Sequence, residues 1–255
     1  MQFLRRVIRN QSFVGMSALF HDLKANGAQF FYVTGAPKLI QALPESFLRK
    51  ANFPPGTLSL RESRTENMED SKYQRALEIM KTNPDTDFYL ICDNGEGDVL
   101  WTERLLENPE VKDRIKLVTV HQLYPEGIGR PLRSSRQVVH TSAADLALQF
   151  FKLGKLRFQQ LQSAIQAVVV SELKKDSSSP AELAAMPEAP LPDFTPISAK
   201  TLVELDEFGS SLGDRPLAGW VKALGAIYRR FQQNPVPQAW NAERSCHGIL
   251  TQSVH

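Results

Sequence analysis

Three places in the chain set side chains of ligand-binding or catalytic type at spacings that suit phosphate chemistry. The first is Tyr32-Val33-Thr34-Gly35-Ala36-Pro37, an apolar run that ends in a hydroxyl and then a glycine. A hydroxyl at a strand end followed by Gly leaves backbone N–H groups open to an anion, although a plain strand-to-helix turn favours Gly and Pro as well. The second is Cys92-Asp93-Asn94-Gly95-Glu96-Gly97-Asp98, which puts two carboxylates, Asp93 and Asp98, five residues apart on a glycine-containing loop. Hard cations such as Mg²⁺ take oxygen from one or two carboxylates together with phosphate; a solvated acidic turn has the same composition. Between these lies Lys72, at the start of a helix behind an acidic loop. It is a point charge of the kind that neutralises phosphate, in a residue type whose ordinary place is the surface.

Such residues act together only if strand ends converge, and the hydropathy pattern supplies strands and helices in alternation. Residues 16–24 carry apolar side chains at 16, 19, 20 and 23, a helical stripe, and Asn26-Gly27 closes it. Residues 28–34 read as a buried strand, 38–50 as a helix ended by Asn52-Phe53-Pro54-Pro55-Gly56, and 57–60 as a short strand. A helix is predicted over 72–81, and the clearest strand of all over 87–92, continuously apolar as in a sheet covered on both faces. A helix at 99–108, strands at 115–120 and 137–140, and a helix at 142–156 complete the series. Strands separated by helices imply parallel crossovers and an α/β sheet, whose ligands bind beyond the carboxyl ends of the strands.

Composition bounds the rest. A chain of 255 residues, 42% apolar and 23% charged, is neither a disordered polymer nor a disulfide scaffold. The longest apolar stretches, such as 166–171, fall far short of the roughly 18 to 20 residues of a membrane span. A net charge of +2 gives no argument for nucleic acid. Cys92 and Cys246 form no CxxC and read as ordinary thiols, and Arg5, Arg6 and Arg9 break what a signal peptide would need as its apolar core. A soluble, cytoplasmic protein is the default expectation. Residues 1–175 read as one domain and 176–215 as an acidic, Pro-rich linker. In 216–255 a helix carries Leu217, Trp220, Val221, Leu224, Tyr228 and Phe231 on one face, docking on the domain or on a protein partner. No GxGxxG, P-loop or GxSxG occurs, the histidines form no recognisable constellation, and His140 at a strand end reads as structural.

The order strand-Thr, Lys, strand-Asp-x-x-x-x-Asp is more specific than any member, and it resembles the second, third and fourth motifs of the haloacid-dehalogenase-like phosphatases. More closely, Tyr32 to Pro37, Phe53-Pro54-Pro55-Gly56, Ser71-Lys72 and Cys92 to Asp98 resemble the phosphatidate phosphatase catalytic-domain family named after the yeast actin-patch protein, over roughly residues 14–156. The family's pattern is Tyr-Val-Ser-x-Ser-Pro, Phe-Pro-x-Gly, His-Lys and Gly-Asp-Ser-Gly-Gln-x-Asp; Ser71, Cys92, Asn94 and Glu96 stand where it has His, Gly, Ser and Gln. The resemblance implies a three-layer, Rossmann-like (haloacid-dehalogenase-like) parallel sheet, here with an α-helical C-terminal appendage. It implies a Mg²⁺-dependent phosphomonoesterase in which an aspartate at the end of the first strand attacks phosphorus. A second aspartate two residues on acts as acid and base. Carried over by position, Thr34 and Gly35 bind the phosphoryl group, Lys72 stabilises its charge, and Asp93 and Asp98 hold Mg²⁺. The substrate implied is a phosphomonoester such as a phospholipid headgroup phosphate.

The Asp-x-Asp-x-Thr motif belongs upstream of the helix at Met16, and it is not in these residues. The first aspartate is Asp22, and the sole Asp-x-Asp, Asp85-Thr86-Asp87, precedes its strand and so lies at the amino end of the sheet. The central first strand is therefore missing from the pattern. About four buried side chains at roughly 1.5 to 3 kcal/mol each would forfeit about 6 to 12 kcal/mol, comparable to a domain's net stability. Two expectations stay open. Either an upstream strand carrying the aspartates precedes Met1, or the chain is a pseudophosphatase that binds a phosphorylated ligand or a protein, with residues 2–8 or a partner filling the gap. Residues 1–10 set Phe3, Leu4, Val7 and Ile8 beside three arginines, a candidate peripheral contact with an anionic membrane.

Overall fold

Apolar runs and amphipathic stretches resolve into parallel strands joined through helices. The structure, a computed structural model, describes residues 12–95, 97–123, 130–177, 179 and 199–233. In chain order the elements are α1 (Met16–Ala25), β1 (Phe31–Pro37), a 3₁₀ turn (Lys38–Ile40), α2 (Ala42–Lys50), β2 (Thr57–Arg61), α3 (Met68–Thr82), β3 (Phe88–Asp93) and α4 (Asp98–Glu107). Then come β4 (Ile115–His121), β5 (Gln137–His140), α5 (Ala143–Lys152), α6 (Phe158–Ser177), α7 (Ala199–Ser211) and α8 (Pro216–Gln233). The protein is mixed α/β with parallel sheets, as the alternation requires. No helix among the described residues is long and apolar enough to cross a membrane.

The strands form two separate ladders. β1 pairs with β2, Phe31 opposite Thr57, and β3, β4 and β5 pair in that order, with Asp93, His121 and His140 aligned at their carboxyl ends. Among the described residues no ladder joins β1 to β3. Both sheets nevertheless lean on one helical layer. Phe30 and Phe53 from the first, and Tyr89, Ile91 and Leu117 from the second, pack on a cluster built from Leu19 and Phe20 of α1, Leu146 and Leu148 of α5, and Leu161 and Ile165 of α6. The two-residue alternation of a strand sends Leu90, Cys92, Val118 and Val120 the other way, onto Ala76 and Met80 of α3 and Val99 and Leu105 of α4.

Two helices lie where the sequence predicts none. Residues 158–177 form α6, whose Val168, Val169 and Val170 are β-branched and disguise its helical face, formed by buried Leu161, Ile165 and Val168. Residues 199–211, read as part of the linker, form α7, and Leu202 and Leu205 enter the same core cluster as Leu217, Val221 and Leu224 of α8. Residues 178 and 180–198 of the Pro-rich stretch and residues 234–255 lie outside the described residues, as do residues 1–11.

A buried polar knot fixes α8 to this layer. The Tyr228 phenol donates to Asp145 Oδ1 at 2.6 Å and lies 2.5 Å from Ser142 Oγ. Asp145 accepts in addition from the backbone N–H of Ser142 at 2.9 Å and of Thr141 at 2.5 Å, closing a capping box at the start of α5. Burial, reinforced by the Asp145 charge, pushes the phenol well above its ordinary range, so Tyr228 stays protonated and serves as a donor. Tyr228→Phe is expected to lower stability by about 1 to 3 kcal/mol by leaving part of Asp145 without a donor. Urea unfolding would show a lower midpoint with an unchanged slope.

Candidate functional site

The N-terminus of α3 is the point where the two sheets meet. Asn67 starts the helix by accepting from the N–H groups of Glu69 and Asp70 at 2.9 and 3.1 Å. The helical period then puts Met68 and Lys72 one above the other on one face. Both reach the end of β1: a Cβ added at Gly35 would lie 2.4 Å from Met68 Sδ and 3.5 Å from Lys72 Cε. Gly35 thus admits α3, a reason for the glycine beyond turn formation. Glu69 reaches the start of α4 in the same way, since a Cβ at Gly97 would fall 2.1 Å from its Cγ.

Lys72 departs from the surface habit of its residue type. It is 7% exposed, and its Nζ donates to Asp98 Oδ1 at 2.5 Å. The same oxygen accepts from Trp101 Nε1 at 2.8 Å. Asp98 is the first residue of α4, where the unpaired N–H groups and the helix dipole favour a carboxylate. A buried ammonium and a buried carboxylate each need the other, because desolvating either alone is far more costly than desolvating the pair.

Of the five residues singled out in the sequence, Gly35, Lys72 and Asp98 are drawn together directly. Thr34 is half-buried next to them, its Oγ1 accepting from Ala36 N at 3.2 Å. Asp93 ends β3, its Oδ1 accepting from Gly95 N at 2.7 Å. Asp93 and Asp98 are oxygen donors of the type Mg²⁺ takes. Two carboxylates fit an ion that keeps phosphate and water in its other positions. They do not make an all-protein cage, and among the described residues no three His, Cys, Asp or Glu side chains are arranged to hold a metal.

Sequence reading missed several residues around this pair. Trp101 braces Asp98 from one helical turn on, a spacing visible as Asp-x-x-Trp. Asn94 is buried and ties the β3 loop to its neighbours: its N–H donates to His121 O at 3.1 Å, its Oδ1 accepts from Leu123 N at 2.8 Å and its carbonyl from Arg130 N at 3.0 Å. Beyond Asp93 in register stand His121 and His140, rings stacked at 4.9 Å, with Phe13 edge-on to His121 at 4.3 Å. His121 Nε2 donates to Thr141 O at 2.9 Å, and His140 Nδ1 bonds Thr119 Oγ1 at 2.7 Å. His140 is wholly buried, and burial pushes it down to about 3, so the ring stays neutral. Burial likewise raises the Cys92 thiol well above its usual range, making it an inert packing group. Cys246 lies outside the described residues.

Parallel strands, with a buried lysine–carboxylate pair and a glycine-bearing turn beside their carboxyl ends, define an α/β protein with a buried charged junction at that face. Residues 1–122 match the family model described as phosphatidate phosphatase APP1, catalytic domain. That stretch of the chain, which holds Thr34, Gly35, Lys72, Asp93 and Asp98, is similar to the phosphatidate phosphatase catalytic-domain family. The match stops short of the 156 expected from the motifs, so β5 and α5 to α8 fall outside it. Neither the curated proteins nor the solved structures contain a match.

Two outcomes follow from these environments. Asp98→Asn strands the Lys72 ammonium and is expected to cost about 3 to 5 kcal/mol, whereas Lys72→Met with Asp98→Leu costs much less. Chemical denaturation of the single and double variants reads the difference. For His140 the unfolded chain takes a proton below its ordinary 6.5 that the folded protein refuses down to about 3. Its stabilising contribution is complete above 6.5 and declines by about 1.4 kcal/mol per pH unit as the pH falls through that window. Comparing stability at several pH values with that of His140→Gln isolates this slope.

Proposed function

We propose that the carboxyl ends of β1 and β3 form a phosphomonoester site of the haloacid-dehalogenase-like kind, served by Mg²⁺, whose substrate is a phospholipid headgroup phosphate such as that of phosphatidate. The observation that carries this reading is the Lys72–Asp98 pair buried between the two strand ends and touching Gly35. The similarity of residues 1–122 to the phosphatidate phosphatase catalytic domain suggests the substrate class. The break between β1 and β3 supports the reading further, since that is where the first strand of such a fold, with its attacking aspartate, would run.

In this reading the Thr34 hydroxyl and the backbone N–H of Gly35 receive the phosphoryl oxygens. Lys72 offers a positive charge whose position is set by Asp98, and Trp101 in turn holds Asp98, so little reorganisation accompanies phosphate binding. Mg²⁺, held by Asp93 and Asp98, would neutralise further charge on those oxygens. The Asp-x-Asp-x-Thr motif does not occur in the sequence, and the one Asp-x-Asp pair, Asp85 and Asp87, stands before β3, with Asp87 about 20 Å from Asp93 at the strand's rise per residue. This favours, for the 255 residues themselves, a pseudophosphatase role, in which a phosphorylated ligand or protein partner is bound without turnover. A protein partner engaged through 176–255 remains part of the same proposal, at surfaces that α7 and α8 leave outside the shared core.

The test is calorimetric binding of inorganic phosphate with Mg²⁺, alongside phosphate release from detergent-dispersed phosphatidate. The purified chain is expected to bind phosphate, to bind it about 5- to 30-fold more weakly as Thr34→Val through loss of one hydrogen bond, and to release none from phosphatidate. Absence of phosphate binding would overturn the site. Release that Asp93→Asn abolishes would overturn the non-catalytic reading and leave the site standing.

A further inference from the structure

The segment that leaves the carboxyl end of β1 is unusual in burying nothing. Neither the 3₁₀ turn Lys38–Ile40 nor α2, Ala42–Lys50, has a buried residue. Leu39 is 80% exposed, the highest value among the large hydrophobic side chains of the described residues, and Leu43, one helical turn on, is 47% exposed. An isolated surface leucine needs no explanation. Two of them a turn apart, on a segment anchored from its other side by Phe47 against Phe53 at 5.8 Å, form an apolar edge that projects from the body.

The position of this edge gives it meaning. It starts directly after Pro37, two residues beyond Gly35, and is pinned to the end of β2 by the 2.7 Å ion pair of Lys38 with Glu62. It therefore stands on the rim of the strand-end face that holds Thr34, Lys72 and Asp98. With Lys38 paired to Glu62, residues 38–50 still carry exposed Arg49 and Lys50 against Glu45, whose carboxylate accepts from Gln41 Nε2 at 2.6 Å, so the edge is net positive. Apolar side chains flanked by cations are the composition that settles at the level of anionic lipid headgroups.

We infer that Leu39 and Leu43 form a membrane-docking edge, which inserts into the interfacial layer of a bilayer containing an anionic phosphomonoester lipid while Arg49 and Lys50 meet its headgroups. The inference rests on the lipid-phosphate reading of the site, and it gives that reading a physical route. A headgroup phosphate becomes reachable without extracting the lipid, because the rim that touches the bilayer is continuous with the strand end that would receive the phosphate.

The experiment is flotation of the full chain with phosphatidylcholine vesicles prepared with and without phosphatidate, comparing the unaltered protein with Leu39→Ser/Leu43→Ser. Both side chains are exposed, so the double variant is expected to keep its unfolding midpoint and its affinity for inorganic phosphate. Its binding to phosphatidate vesicles is expected to fall at least about tenfold, the effect of losing two inserted apolar side chains. Vesicle binding that is absent, or that the double substitution leaves unchanged, overturns the inference; the second result would move docking to another segment. A shift from dimer to monomer on substitution, read by light scattering, overturns it also, because the edge would then be covered by a second copy. Failure of the lipid-phosphate reading is distinguishable: Thr34→Val would leave phosphate binding unchanged while Leu39 and Leu43 still governed flotation.

Discussion

The buried Lys72–Asp98 pair is the interaction around which the candidate site is organised. An ammonium that is 7% exposed cannot be left without a counter-charge, so α3, which carries it, is held against the N-terminus of α4, which carries the carboxylate. Those two helices cover the face of β3 and β4 formed by Leu90, Cys92, Val118 and Val120. The same lysine runs past Gly35, and this brings β1 and its partner β2 to the other side of the junction. Removing a Cβ at positions 35 and 97 makes both approaches possible. The strand ends converge because α3 is clamped at its first turns.

The helical layer on the opposite face provides the continuity that the sheets lack. No ladder joins β1 to β3 among the described residues, yet Phe30 and Ile91 rest on one cluster drawn from α1, α5, α6, α7 and α8. Hydrogen bonds from α1 add to this: Ser17 Oγ donates to Asn52 O at 2.5 Å, and Asn26 Nδ2 donates to Lys155 O at 2.9 Å. One helix thus spans from the β1–β2 half to the α5–α6 half. The C-terminal helices are part of this layer through Tyr228, Asp145 and Ser142, and through Glu172 of α6, which pairs with Lys175 and with Arg230 of α8 at 3.8 Å.

This arrangement separates two tasks along the chain. The residues proposed to meet phosphate lie within the family-matched stretch, 1–122, whereas much of the apolar surface that supports them comes from residues beyond it. The junction between the tasks is the row Asp93, His121 and His140 across β3, β4 and β5. His140 leads directly into Thr141, Ser142 and the Asp145 cap, so the end of β5 and the anchor of α8 share one turn of chain. The buried His140 imidazole at that turn stays neutral.

Local signals were strong enough to determine the strands and most of the helices. The continuous apolar run at 88–92 reads as a strand covered on both faces, and the 3.6-residue stripe at 73, 76, 77 and 80 as α3. The polar strand ends at Thr34 and Asp93, and the order of Thr34, Lys72, Asp93 and Asp98, were legible for the same reason: each is written in adjacent residues or in the sequence of motifs. Helix α6 was not, because three consecutive valines favour a strand locally and only packing against α1 and α5 overrides them. Residues 199–211 were lost among prolines and acids, their few leucines acquiring meaning once Leu202 and Leu205 met α8. Burial of Lys72, bracing of Asp98 by Trp101 and closure of Gly35 over Met68 join residues 26, 3 and 33 positions apart. Of these three only the Trp101 spacing has a local signature. The others arise from the meeting of three elements in space, which a one-dimensional pattern does not contain.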